Sequence, residues 1–374
     1  MLYAPAERTV TVTYECIYLA RDVLIYQNGV ILIEGKTLER KIMSLGRSSL
    51  VISLPKNWIE LNELKKSDVV SLAVQRDRSL VVYPFGDKKK ESAEINLHID
   101  ANEKESSIVR KLIGCYLSGY SGIKVISDNI FSVPQRKAIR NIVATLYMRV
   151  MVADAKSMHI QTLIDESKAS LELAINRMHL ISDSMCKDVL NVLKTGDSML
   201  AKSVFSLDED VDHFSYFILR LLRSAAQDPV LANVLGIYTL DCMDYQTLVR
   251  GIEHTADYCA NIARYVIMLG ESEHKIPDQV LTLMSQSGKE AIDLYDRAVE
   301  NFFSKNVANS VEILEGEQNI ERLDQEIASK AFMHKQENLV TCAICSIRDD
   351  IRKIAESAAD IAEVSIDRAY KMSA

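Results

Sequence analysis

At 374 residues, 48% of them hydrophobic and 6% aromatic, with 13 Gly and 6 Pro, the chain is too long for one small core and too apolar for a disordered one. Two or three mainly helical domains are expected. Its net charge of −8 is uneven: residues 34–90 hold 12 Lys+Arg against 7 Asp+Glu, residues 1–33 hold 2 against 3, and residues 91–374 carry −12 by difference. A basic head on an acidic body points to two kinds of partner. The longest apolar runs, such as VLIYQNGVILI, fall short of the ~20 residues needed to cross a bilayer. The start also lacks a signal peptide's basic, apolar and small-residue regions, so a cytoplasmic protein without membrane insertion is expected. Seven scattered Cys fit a reducing interior with thiols as small buried hydrophobes. The Cys342–Cys345 pair in CAIC has redox or half-zinc spacing, but it sits in a helical pattern without further ligands and is read as core.

Residues 1–35 form an uncertain N-terminal extension. An upstream start read as coding would look like this, and so would a genuine hairpin turning at Gln27-Asn28-Gly29. Residues 36–90 alternate like strands in LERKIMSLG, SSLVISLP, DVVSLAVQRD and SLVVYP, with a short helix in NWIELNELKK after a Pro. A β domain of ~45 residues has little core of its own, so dimerisation is expected.

Over residues 91–164 the pattern becomes β-α-β-α-β: AEINLHID, a helix KESSIVRKLIGCYLSG closed by Gly119, GIKVISD, a helix VPQRKAIRNIVATLYMRV with Pro134 in its first turn, and MVADAKSMHIQTLI as one further strand. It contains no Gly-rich phosphate loop. From residue 165 the chain reads as helix. Apolar steps run through Leu171, Ile175, Met178 and Met185, and through Leu248, Ile252, Ala256, Cys259 and Ala263, with breaks at Pro229 and Pro277. Long antiparallel helices with short links make a bundle.

The bundle repeats itself. Residues 194–214 lie over 303–323 at an offset of 109, pairing Asp208 with Glu317 and Asp212 with Glu321. LVRGIEHTADYCANIAR lies over IRKIAESAADIAE at an offset of 99, pairing Asp257 with Glu356 and Asn261 with Asp360. The acidic positions survive where identities do not, which implies two three-helix copies, residues 165–270 and 271–374.

Asp208 and Asp212 stand one helical turn apart, as do Glu253 and Asp257, with Asn261 a turn further on. Carboxylates gathered in one place need a cation or raised pKa values. An all-oxygen set favours a hard metal ion, Mg, Mn or Fe, with Zn kept as a further candidate. His213 and His254 lie one residue off the acidic stripe and are read as surface or structural. In the second copy, Arg352 stands where Glu253 stands in the first, so occupancy of that site is doubtful.

These features resemble the PhoU family of phosphate-uptake regulators, whose two three-helix repeats carry a signature close to E-R-I-G-D-H-A-x-N-I-A. Glu253, Asp257, Asn261, Ile262 and Ala263 match it, while Gly251 and His254 sit at shifted positions. The resemblance implies metal binding at Asp208, Asp212, Glu253 and Asp257, and less surely at Glu317, Glu321, Glu356 and Asp360. It also implies contact with a phosphate transporter's ATPase or a sensor kinase. Residues 36–90, through RKIMSLGRSSLVISLPKNWIE and KKSDVVSLAV, resemble the AbrB/MazE-like swapped-hairpin domain. The combination resembles archaeal phosphate regulators, and implies a homodimer or higher oligomer that acts without turnover. Arg40, Lys41, Arg47 and Lys56 are the candidates for DNA phosphates. Two alternatives remain: a di-metal carboxylate enzyme, for which only Glu271-Ser-Glu-His274 offers Glu-x-x-His spacing, and a purely structural dimeric adaptor.

Overall fold

The computed structural model describes residues 24–25, 31–32, 39–46, 49–74, 78–84, 93–333 and 337–371. The chain divides into two compact units, Met1–Val69 and Val70–Ala374. In the first unit, β1 (Leu24–Ile25) pairs with β2 (Ile31–Leu32), and β3 (Met43–Leu45) pairs with β4 (Ser49–Val51), both antiparallel. The expected Gln27-Asn28-Gly29 turn lies outside the described residues. Pro55 leads into α1 (Lys56–Leu61). The side chains that would form a core here are exposed, Met43 by 51%, Leu45 by 65% and Leu50 by 72%. Isolated two-stranded hairpins are marginal in water.

The second unit begins with a hairpin of β5 (Ser71–Val74) and β6 (Leu80–Tyr83), again with exposed apolar residues in Leu72, Val74 and Leu80. An α/β layer follows, built from β7 (Glu94–His98), α2 (Glu105–Leu117), β8 (Gly122–Ile126), α3 (Val133–Thr145), β9 (Met148–Ala153) and β10 (Ser157–Thr162). Its strand order is β7-β8-β10-β9, with β7 parallel to β8 and the other pairings antiparallel. The single last strand expected from the sequence is therefore a hairpin, and α3 ends five residues earlier than its apolar pattern. Asp154 makes the turn: its Oδ1 accepts from the backbone N–H groups of Lys156 (2.7 Å) and Ser157 (2.8 Å). Ser132 and Gln135 cap α3 reciprocally beside Pro134. Ile108, Leu112 and Tyr116 of α2 and Ile139 and Val143 of α3 bury against Ile123, Val125, Met158 and Ile160 of the sheet.

The remaining chain is the bundle: α4 (Leu171–Thr195), α5 (Ser198–Gln227), a short α6 (Pro229–Leu235), α7 (Asp241–Glu271), α8 (Asp278–Ser304), α9 (Val307–Met333) and α10 (Asn338–Ala369). Each apolar step read from the sequence, from Leu171 to Met185 and from Leu248 to Ala263, is buried. Gly196, in the left-handed region at φ 69°, ends α4, and Asp197 caps α5 by accepting from Met199 and Leu200 N–H. Pro229 opens α6 and Pro277 precedes α8. The two copies meet where α7 runs antiparallel to α10. Asp241 pairs with Lys371, Asp244 with Arg368, and Gly251 lies against Ile361.

Arg220 of α5 fastens the α/β layer to the bundle. Only 3% exposed, it donates to Glu166 Oε1 (2.6 Å) and to the carbonyls of Tyr116 (2.6 Å), Tyr120 (2.9 Å) and Gly119 (3.1 Å). It thereby satisfies carbonyls at and just beyond the end of α2 and stacks on the Tyr116 ring. The core reading of CAIC is corrected: Cys342 and Cys345 are exposed on α10, while Ala343 and Ile344 between them turn inward. Among the described residues, no helix is long and apolar enough to cross a membrane.

Candidate metal centre

The acidic pairs lie on helices that pack side by side. Val204 and Val211 on α5, and Ile252, Ala256 and Cys259 on α7, occupy the core. Residues next to that apolar stripe fall at the margin of the α5–α7 groove, where Asp208, Asp212, Glu253 and Asp257 sit. The four act on one another. Burial, then Asp212, Glu253 and Glu209, push the Asp208 carboxyl up to about 6. Burial, then Glu253, Asp257 and Glu209, push Asp212 to about 6 against the opposing charge of Arg250. Burial of its inner side, then Asp208 and Glu253, raise Asp257 to about 7 against Arg250, although its outer side is open to solvent at the rim. The buried side of this group also lifts the Tyr216 hydroxyl, through burial first and then Asp212 and Glu253.

Arg250, which the sequence reading passed over, donates from Nη1 to Glu253 Oε2 at 3.0 Å. Its Arg-x-x-Glu spacing on one helix face was a legible signal. His254 is exposed with Nε2 3.8 Å from Glu253, and His213 packs edge-on to Tyr147 at 6.0 Å between centroids. Both lie beside the cluster. Asn261 is drawn elsewhere: its amide donates to Asp350 of α10, and Arg264 donates to its oxygen. Asp350, 4% exposed, is lifted to about 6 mainly by its burial.

In the second copy, Glu317 and Glu321 on α9 are set against Glu356 and Asp360 on α10. Burial first, then Glu321, Glu356, Asp360 and Glu363, raise Glu317. Cations occupy this neighbourhood: Arg352 donates to Glu356 and, at 2.8 Å, to Asp349, while Arg348 Nε lies 2.8 Å from Asp324. His274 pairs with Glu337 rather than with Glu271.

The donor chemistry of the first cluster, all carboxylate, fits a hard cation. Among the described residues, however, no three His, Cys, Asp or Glu side chains stand in an arrangement that cages a metal ion as placed. Of the DNA candidates, Arg40, Lys41 and Lys56 are exposed, Lys56 lying 3.4 Å from Glu60, and Arg47 is outside the described residues.

Residues 175–266 match the family model of the PhoU domain. Residues 44–92 match that of the antidote-toxin recognition protein MazE, a bacterial antitoxin. The chain is similar to the crystal structure of PhoU from Pseudomonas aeruginosa, with a TM-score of 0.47 and 17% identity over 52% of this chain and 93% of that one. It is also similar to the phosphate transport system regulatory protein PhoU from Streptococcus pneumoniae, with a TM-score of 0.47 and 14% identity over 55% of this chain and 95% of that one. No curated protein matches it. The chain thus carries a PhoU domain in the first half of its bundle and a MazE-type segment ahead of its α/β layer.

Proposed function

We propose that this protein is a regulator of phosphate uptake whose bundle takes up a hard cation at Asp208, Asp212, Glu253 and Asp257 and signals by contact with other proteins. The observation that carries the reading is the gathering of these four carboxylates in one groove between α5 and α7, inside the segment that matches the PhoU domain, where burial first and then their neighbours' charges lift Asp208, Asp212 and Asp257. Carboxylates that raise one another's pKa gain free energy from any cation that enters among them. When bound, the metal would supply the counter-charge that the groove lacks, and the four side chains would turn toward it. Arg250 borders the cluster and would limit how much further positive charge it accepts. The second copy, already bridged by Arg352, takes metal less readily.

The head is assigned to dimerisation and DNA contact. Apolar residues exposed on both of its hairpins, Met43, Leu45 and Leu50 on one and Leu72, Val74 and Leu80 on the other, support a second copy of the chain as their cover. Exposed Arg40, Lys41 and Lys56, with a basic excess of five charges over residues 34–90, support contact with phosphates.

Metal analysis tests the first assignment. Protein reconstituted with Mn should hold less metal after joint Asp208→Asn and Asp257→Asn substitution, and unchanged stoichiometry removes the ligand assignment. Fluorescence anisotropy on duplex DNA tests the second, since affinity carried by Lys and Arg must fall steeply between 50 and 200 mM salt. A chain that dimerises without binding duplex at low salt leaves the adaptor reading in its place.

A further inference from the structure

Away from the α5–α7 groove, the seam between α4 and α8 holds a second polar group with no part in the proposed metal chemistry. His179 and Asp183 stand one turn apart on α4, and Asp296 meets them from α8. Tyr295, fully buried, donates its hydroxyl hydrogen to Ser182 Oγ at 3.0 Å. The same Tyr295 oxygen lies 3.3 Å from His179 Nδ1. Nε2 lies 4.0 Å from Asp296 Oδ1. Both Asp296 Oδ1 and Asp183 Oδ1 are sealed from solvent without a hydrogen-bond partner, while Lys187 reaches Asp183 Oδ2 at 2.5 Å. Two closed-off carboxylate oxygens thus share a seam in which neither receives a hydrogen. Buried acceptors without a donor are rare in folded proteins.

We propose that His179, Asp183 and Asp296 form a proton-holding joint between the two halves of the bundle. One proton resides on the Asp296 carboxyl and serves the acceptors around it. Its loss as pH rises puts a second negative charge beside Asp183 and loosens α4 from α8. The groups that face Asp296 are His179, Asp183 and Lys187 on α4 and Asp293, Tyr295 and Glu300 on α8, with the Cys186 thiol touching Cys259 of α7 behind them. Burial first, then Asp183, lift Asp296 to about 6, against Lys187 and with smaller contributions from Glu300 and Asp293. Burial, with Lys187, lowers His179 against the pull of Asp183 and Glu300, which keeps the imidazole neutral at neutral pH. The sign follows from linkage. A carboxyl whose folded pKa exceeds its unfolded value of 3.8 makes the native state bind more protons, so the seam weakens as pH climbs from about 4 to about 6 and stays weakened above. Because α4 belongs to the first copy and α8 to the second, this joint acts at a contact between the copies that stands beside the α7–α10 one.

Hydrogen–deuterium exchange on EDTA-treated full-length protein tests the proposal. After correction for intrinsic exchange, amides in the middle of α4 and α8 should open roughly tenfold more readily at pH 7.5 than at pH 5 in the wild type. In Asp296→Asn, whose amide supplies a hydrogen at every pH, that tenfold part of the change should be missing. Other carboxyls titrate in this window, so the difference between the two proteins is the readout. Equal pH dependence in wild type and variant overturns the proposal. So does a divalent metal, retained by untreated wild type and lost from the variant, since the seam would then hold a cation instead of a proton. Where Asp296→Asn does not fold, Asp183→Asn answers: it removes the neighbouring charge and should move the step to lower pH, and an unmoved step refutes the joint.

Discussion

Replacing Asp212 by Asn should stabilise the metal-free protein at alkaline pH. In the folded chain the Asp212 carboxyl is lifted from 3.8 to about 6, by burial first and then by Glu253 and Asp257. Between those values the native state holds a proton that the unfolded chain has released, so stability falls as pH rises through the window, and the whole penalty is present above about 6. A shift of about two units corresponds to roughly 3 kcal/mol. Partial exposure and salt screening reduce the recoverable share to about 1–2 kcal/mol. Asn removes the charge and keeps the shape, so urea unfolding in EDTA at pH 8 should give a free energy higher by that amount. At pH 4 the wild-type carboxyl is itself largely protonated in the fold, and the gain should shrink towards zero. Saturating Mn at pH 8 should reverse the order, because a cation that binds only the native state stabilises the protein with the complete carboxylate set more. If Asp212→Asn is no more stable at pH 8 in EDTA, or gains as much at pH 4, burial and the neighbouring carboxylates do not lift Asp212 as described.

Three further outcomes follow from the packing. Arg220→Met should cost about 3–5 kcal/mol, because Glu166 and three carbonyls lose their buried donor. Exchange at residues 116–120 should rise before global unfolding; protection there at the wild-type level would mean that the α/β layer is held by other contacts. Gly251→Ala would bring a Cβ to 2.7 Å from Ile361 Cδ1 in the α7–α10 contact. The gain in helix propensity, about 1 kcal/mol, offsets part of an overpacking cost of about 1–3, so a net loss of about 1 kcal/mol in chemical denaturation is expected. Leu50→Lys and Leu72→Lys together should lower the mass measured by light scattering to that of one chain, whereas an unchanged mass would place the self-contact outside the head.

Much of the bundle can be read before the structure is seen, because its signal is local and repeated. Leu248, Ile252, Ala256, Cys259 and Ala263 step along one face of α7, and all are buried. The β9–β10 hairpin was harder, since MVADAKSMHIQT is apolar on both sides of a three-residue link. The clue was Asp154, whose side chain closes the turn onto Lys156 and Ser157. Cys342 and Cys345 misled because an apolar helix suggests burial for every small residue in it. Residues three apart share a face, and here Ala343 and Ile344 took the inner one. Arg220 gives no signal of its role in the sequence: its carbonyl partners lie 100 to 104 residues away, and nothing in SYFILRLLRSAAQ distinguishes it from Arg223.

The two copies differ less by the presence of a cation than by what it touches. Each has an arginine on its last long helix, Arg250 on α7 and Arg352 on α10. Arg250 donates to Glu253 and leaves Asp208, Asp212 and Asp257 all lifted. Arg352 bridges Glu356 and Asp349, with Lys353 also on Asp349, while burial first and then Glu321, Glu356 and Asp360 raise Glu317. Charge neutralised within the fold is not available to a metal ion, so the first groove has more to gain from cation entry than the second. Its location adds a consequence. Asp208 and Asp212 share α5 with Arg220, and twelve residues of helix from Asp208 to Arg220 span about 18 Å. A shift of α5 at the carboxylates would reach the end of α2 along that length, where Arg220 holds the carbonyls of Tyr116, Gly119 and Tyr120. The α/β layer is therefore the part of this unit most directly placed to register whether the first groove is filled.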